Sequence, residues 1–325
     1  DRPLAVTALR VAERGARRAS VFALTLLAGA LAVFFAMKMA PGDPALTALG
    51  ESARPELVQA FRHAHNLDRS WPEQFGVWIG GAARGDFGQS LNLAGGVPVT
   101  SLIASRLPAT VFVSLYALVL AVIVSLAVGT VSALRRGRLA DTVATSFAVL
   151  GVSMPDFWIG YVLIFFLALN VPVFPSYGFV SPGVSLAGAL LSGFLPALAI
   201  AAPMAAVFAR TLRAALLEVL HREYVTVARS IGFRPSFVFL HFVFRNALIP
   251  YVTVLGLQVR YLLGGVVVIE RIFGVPGMGS LMVDAAFARD YPVVQACALT
   301  FLLIVLLTNL LVDTICTRLD PRRAA

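Results

Sequence analysis

The sequence predicts an all-α integral membrane protein with six transmembrane helices. Three observations carry this. Hydrophobic residues make up 59% of the 325 and charged residues only 13%, whereas a soluble domain carries about a quarter charged residues and a little under half apolar ones. The apolar residues gather in runs long enough to cross a bilayer, which takes roughly 20 residues of helix. The basic residues fall unevenly between alternate connections, as the orientation of a multi-pass chain requires.

The six runs are Ala19–Met39, Leu107–Leu134, Thr142–Asn170, Leu186–Ala209, Ala247–Ile269 and Val293–Thr317. The third contains Pro155, where a kink is expected and tolerable because neighbouring helices can satisfy the freed carbonyl. Two connections exceed ordinary turns. Residues 40–106 carry the Pro/Gly turn "APGDPA", the amphipathic run "PELVQAFRHAHNL" and then "WPEQFGVWIGGAARGDFGQSL". Residues 210–246 are polar and basic. No internal repeat and no low-complexity tract stands out. The Asp1 start is read as a processed or trimmed end.

With the N-terminus placed in the cytoplasm, seventeen of the Arg and Lys residues fall on the cytoplasmic side and seven on the other. Lys38 and Arg260 lie within spans. The positive-inside rule therefore puts both termini in the cytoplasm. It also accounts for the net charge of +9 without nucleic acid as a partner. Lys38 is the single Lys of the chain and follows no Gly-rich turn, so no phosphate-binding loop exists to hold ATP. The four His residues form no catalytic arrangement with a nucleophile. His63 and His65, two apart on a predicted helix, diverge, so no metal site is expected. Cys297 and Cys316 lie about five turns apart on one predicted helix and cannot bridge.

The 210–246 connection contains "TLRAALLEVLHREYVTVARSIG". From Thr211 to Ile231 it lacks Pro and Gly and is rich in good helix formers. One continuous helix is expected, closed by Gly232, which accepts the left-handed conformation of a helix end. Ala228 and Gly232 are four apart and share a face without bulk, with Glu223 and Arg229 at its edges. Two readings stand: a docking helix for a soluble partner, or an amphipathic linker on the headgroups.

This segment resembles the cytoplasmic signature of bacterial ABC importer permeases, with Glu223, Ala228 and Gly232 in place and Tyr224 and Val225 departing from its Ala-Ala pair. The variant "ARSIG" with "RNALIP" downstream is similar to the dipeptide, oligopeptide and nickel importer subfamily. So, in the same order, are "APGDPA", "GDFGQSL", "GVSMPDFWIG", "FGVPGMGSLMVDA" and "RDYPVVQ". The resemblance covers essentially the whole chain. It implies a methionine-importer-like permease fold and a transport subunit rather than an enzyme. It divides the chain into a cytoplasmic segment 1–18, the first span 19–39, an extracytoplasmic region 40–106, a five-helix core 107–317 and a tail 318–325. The core contains the coupling region 210–246. It further implies a second homologous permease, two ATP-binding subunits that hold ATP and Mg, an extracytoplasmic binding protein, and residence in the bacterial inner membrane. Glu223, Ala228, Arg229 and Gly232 become the coupling residues.

Residues for the translocation pathway come from the chain itself. Arg260 sits mid-span, at an insertion cost of about 2.5–3.5 kcal/mol. Gly256 and Gly264 flank it four residues away on either side, leaving a strip without bulk. Arg260 either faces a negative group of the substrate, forms an ion pair with an acid such as Asp156, or snorkels. Asp156, after Pro155, either lines the pathway or caps a broken helix. Lys38 is placed to snorkel to the interface. The expected substrate is a short peptide. The alternatives are a nickel or metal-chelate cargo in the same family and a proton-driven carrier. A carrier would need several acidic groups deep in spans and internal repeats.

Overall fold

Long apolar stretches without internal polar breaks make helices that satisfy their own backbone, as a bilayer demands. The computed structural model describes residues 2–39, 42–50, 52–171 and 173–319, and within them all side chains except those of 2–16, 18, 259, 260, 263 and 316–319. The described chain is nearly all helix. In order the helices are α1 (Arg2–Met39), α2 (Pro44–Leu49), α3 (Pro55–Ala64), α4 (Trp71–Ala82), α5 (Val99–Leu134), α6 (Leu139–Ser153) and α7 (Asp156–Leu163). They continue as α8 (Leu186–Leu220), α9 (Glu223–Ser230), α10 (Pro235–Val238), α11 (Arg245–Phe273), α12 (Met278–Phe287) and α13 (Tyr291–Leu319). Wider-wound π turns extend α7 over Ile164–Leu169 and precede α11 over Phe239–Phe244.

Among the described residues five continuous helices are long and apolar enough to span, and two bent pairs bring the number to seven if each counts as one span. The predicted first span coincides with Ala19–Met39, and α1 simply continues it toward the N-terminus. Predicted spans two, four and six correspond to α5, α8 and α13, which overrun them. The third is not a kinked helix but a broken one: α6 and the helix from Asp156 to Leu169 meet at 112°. Pro155 forces the residue before it out of the helical region, and Met154 is extended at φ −99, ψ 133. A second bend, 81° between Gly264–Phe273 and Met278–Phe287, has no counterpart in the six runs. Residues 320–325 of the predicted tail lie outside the described residues, as do Ala40 and Pro41 of "APGDPA".

The chain divides into two compact units. The first comprises residues 1–105 and 281–307, the second 106–280 and 308–325. The core of the second is built on α8, whose Leu195, Ile200, Phe208, Leu212 and Leu216 are buried among α5 and α11 residues such as Val113, Val266 and Ile269. Small residues let α6 approach closely: a Cβ on Gly151 would lie 3.1 Å from that of Ala206. At one end of this unit Asp141 takes two 2.8 Å hydrogen bonds from Arg213 on α8. It also takes a 2.5 Å bond from Ser132 and a 3.0 Å bond from the Gly137 amide. At the 81° bend Glu270 is wholly buried and receives the Ser280 amide at 3.0 Å. The turn closes over this carboxylate because Gly277 has no side chain: a Cβ there would lie 2.0 Å from Glu270 Oε1.

The first unit is knit at Asp290. This buried carboxylate accepts hydrogen bonds from the Ser90 hydroxyl at 2.5 Å and from the Asn92 and Leu93 amides at 3.0 Å. Asp43 caps α2 through the Ala45 amide and pairs with Arg62 of α3.

Candidate functional site

The predicted coupling segment is two helices. α8 ends at Leu220, and His221 turns its ring back so that Nδ1 donates to the Leu217 carbonyl at 2.6 Å. Its backbone amide bonds Glu218 O at 3.3 Å. Arg222 is extended at φ −74, ψ 142, pairs with Glu218, and starts α9. The expectation of one unbroken helix from Thr211 to Ile231 is thus corrected. Propensity favours continuity there, but a side chain competing for terminal carbonyls and the seat of α9 in the core override it.

That seat is made by Val225, which is fully buried, and Ala228, which is 4% exposed. Both belong to the hydrophobic core of the second unit. Ala228 therefore faces inward, away from the outward face on which it was expected beside Gly232. Tyr224 is held at its hydroxyl by the Asn246 amide of α11 at 3.3 Å. Glu223 and Arg229 are exposed at the two ends of α9. Gly232 closes the helix at φ +88. Its amide donates to Arg229 O at 3.1 Å, and that of Phe233 to Ala228 O at 3.3 Å, the paired bonds of a Schellman end. No atom lies within 4 Å of where a Gly232 Cβ would stand.

The outward side of α9 carries Tyr224, Val227 and Ile231, all substantially exposed. This apolar row was missed in the sequence although its spacing of three and four in "EYVTVARSI" is the signal of one helix face. Glu270 was missed too. Its signal was an acid ending an apolar run directly before the Gly-rich "GVPGMGS".

The pathway residues are spread along α11 and α7. Arg260 lies on α11 and its side chain is outside the described residues. Gly256 is buried under Val312 of α13, whose Cγ1 would stand 2.0 Å from an added Cβ, while among the described residues outside its own stretch of helix nothing lies within 4 Å of a Cβ on Gly264. The strip expected to be open on both sides of Arg260 is thus open at Gly264 alone. Asp156 is the first residue of α7, directly after the extended Pro155. Its carboxylate lies against Gly265, where a Cβ would come within 2.6 Å of Oδ2. Lys38 reaches Gln74 of α4. No group of three or more His, Cys, Asp or Glu residues is placed to hold a metal among the described residues.

Residues 125–325 match the family described as binding-protein-dependent transport system inner membrane component, and residues 15–115 match its N-terminal counterpart. A probable peptide ABC transporter permease of Sinorhizobium fredii is 36% identical over 94% of this chain and 97% of its own length. A putative peptide transport system permease of Brucella abortus is 39% identical over 91% and 94%. The glutathione transport system permease GsiC of Escherichia coli K12 is 37% identical over the same shares. Among solved structures, the MetNI methionine ABC transporter matches with a TM-score of 0.52 at 17% identity. That match covers 67% of this chain and 96% of the other, and shows the likeness of fold. The family and the relatives are membrane transport subunits rather than enzymes. The chain belongs to the inner membrane components of binding-protein-dependent transport systems, the permease subunits of ABC importers.

Proposed function

We propose that this chain forms half of a heterodimeric permease that imports short peptides delivered by an extracytoplasmic binding protein. The names of its relatives, peptide and glutathione permeases, support the substrate class. In this reading two partner subunits bind ATP and Mg, and α9 seats against one of them. The observation that carries the docking role is the outward row Tyr224, Val227 and Ile231 on a helix whose opposite face is locked into the core. A partner groove would cover this row. The excess of Arg on alternate connections supports cytoplasmic termini in a bacterial inner membrane.

ATP binding in the partners would move α9, and α8 and α11 would carry that motion into the spans. The test is uptake by the co-expressed complex in proteoliposomes, using labelled di- and tripeptides, glutathione and nickel. Peptide uptake that needs ATP and the binding protein, and that Val227→Asp abolishes while the chain still inserts, is expected. Nickel uptake without peptide uptake would overturn the substrate class. Normal uptake by Val227→Asp would overturn the docking role.

A further inference from the structure

The first unit holds a cavity of about 360 Å³ that the coupling segment does not touch, within the roughly 300–1,000 Å³ of small-molecule sites. Lys38 of α1, Trp78 of α4 and Gln295 of α13 line it. Two polar groups there lack acceptors and a third is short of them. Lys38 is half-buried, and its ammonium, which can donate three hydrogen bonds, meets only Gln74 Oε1 among the described residues. Gln74 is fixed for this task, its own amide donating to Leu67 O at 3.1 Å and Arg69 O at 2.7 Å. Gln295 is 6% exposed and its amide has no hydrogen bond among the described residues. The Trp78 indole nitrogen is buried without a partner. The one carboxylate on the wall, Asp86, is turned to the Gly88 amide at 2.9 Å. The cavity thus collects donors and a cation, and what it lacks is an anionic acceptor.

The surroundings say what carries that anion. Lys38 lies at the end of the first span. Beside it α1 exposes Phe35 and Met39, and α4 exposes Trp71 and Val77. Trp71 stands edge-on to Phe35 at 6.0 Å. Aromatic side chains at a span end mark the headgroup level, and an apolar face on a short helix lies in that plane. We propose that the cavity binds the phosphate of a phospholipid. Lys38, Gln295 and Trp78 supply the donors, and the acyl chains run along the exposed Phe35 and Met39 side of α1. A free phosphate ion would satisfy the donors but leave that apolar border uncovered.

The test reads Trp78 fluorescence in the full chain carrying Trp71→Phe and Trp158→Phe, which leaves one of the three Trp residues. The probes are dihexanoyl phosphatidylglycerol, inorganic phosphate and dihexanoylglycerol at equal concentrations in detergent. A saturable emission change with the phospholipid alone is expected. Lys38→Met should weaken it about tenfold, the order of one charge-assisted hydrogen bond, and Lys38→Arg should restore it. If Lys38→Met melts early, Gln295→Leu serves as the second variant, with several-fold weaker binding expected. An equal response to inorganic phosphate would show a free-anion site and overturn the proposal. So would an equal response to dihexanoylglycerol, an absent response, or unchanged affinity in both variants.

Discussion

Thr110 and Glu270, 160 residues apart, meet in a buried 2.6 Å hydrogen bond from the hydroxyl to the carboxylate. The same hydroxyl oxygen accepts the Met278 amide at 2.8 Å, so one threonine joins α5 to both arms of the 81° bend. Thr110→Val keeps the shape and leaves Glu270 Oε1 and the Met278 amide short of a partner. A buried group left so costs about 1–3 kcal/mol. The apparent melting temperature of the purified complex should fall for Thr110→Val and fall further for Glu270→Ala. An unchanged melting point in Glu270→Ala would remove Glu270 from any structural role at the bend.

Gly232 separates folding from docking. Its φ of +88 strains any side chain, by about 1–2 kcal/mol, yet its own chain leaves the space beside it empty. Gly232→Leu should therefore insert at near-normal abundance and lose ATP-dependent uptake, because the added bulk meets only the partner. Gly232→Asn, which tolerates the left-handed conformation, should retain more uptake. Equal uptake in the Leu variant and the parent chain would count decisively against docking at this helix end.

The Asp141–Arg213 pair is the strongest polar clasp on α8. Breaking a buried pair costs about 3–5 kcal/mol, and the 30% exposure of the Arg213 side chain puts this one toward the lower end. Asp141→Asn and Arg213→Met should each lower thermal stability. In a double-mutant cycle the combined change should cost less than the two added together. Strict additivity would mean that the two side chains do not act on each other.

Acid should loosen the α2–α3 corner selectively. Burial raises the Asp43 carboxyl, but the hydrogen bonds from Arg62 and the Ala45 amide outweigh it and hold the group below the ordinary aspartate value. A depressed folded pKa adds stability above the unfolded value, near 4, and that stability is lost as pH falls through the folded value. The pair is partly solvent-exposed, with side-chain exposures of 44% for Arg62 and 24% for Asp43, so the effect is small, under about 1 kcal/mol. The protection of amides 44–64 against exchange, taken relative to the intrinsic rate at each pH, should fall between pH 5 and 3 more in the parent than in Arg62→Met, by an amount of that order. Identical profiles would sink the assignment.

Arg260→Met should lower uptake while the complex assembles, hydrolyses ATP and melts as before, if the cation serves the substrate. Early melting together with poor uptake would place Arg260 in an internal ion pair. Unchanged uptake across peptides of different charge would exclude a role for it at the substrate.

The first, second, fourth and sixth spans were legible because each is a long apolar run, a signal that needs no tertiary knowledge. The ends of α5, α8 and α13 were not, since helices run past the bilayer on residues of ordinary propensity. Pro155 announced a disturbance but not its size, because how far a chain turns at a proline depends on what the two arms pack against. In the coupling segment Gly232 was readable from its residue type alone. The break at His221 was not, since it depends on a ring nitrogen finding Leu217 O and on Val225 and Ala228 finding the core. The inward turn of Ala228 follows from the same packing. The polar environment of Lys38 was hidden because Gln74 and Gln295 lie far from it in sequence.

The interruption between α8 and α9 changes how a push on α9 would be distributed. A rigid rod would deliver displacement along α8 alone. α9 instead stands on its own footing, hinged to α8 through His221 and Arg222 and tethered to α11 through Tyr224 and Asn246. Under the proposed docking role it would act as a rocker with two linkages. One stroke would be split between the helix that carries the Arg213 clasp and the helix that carries Arg260 and Glu270. Stiffening the hinge would then send more of the stroke to the first and less to the second.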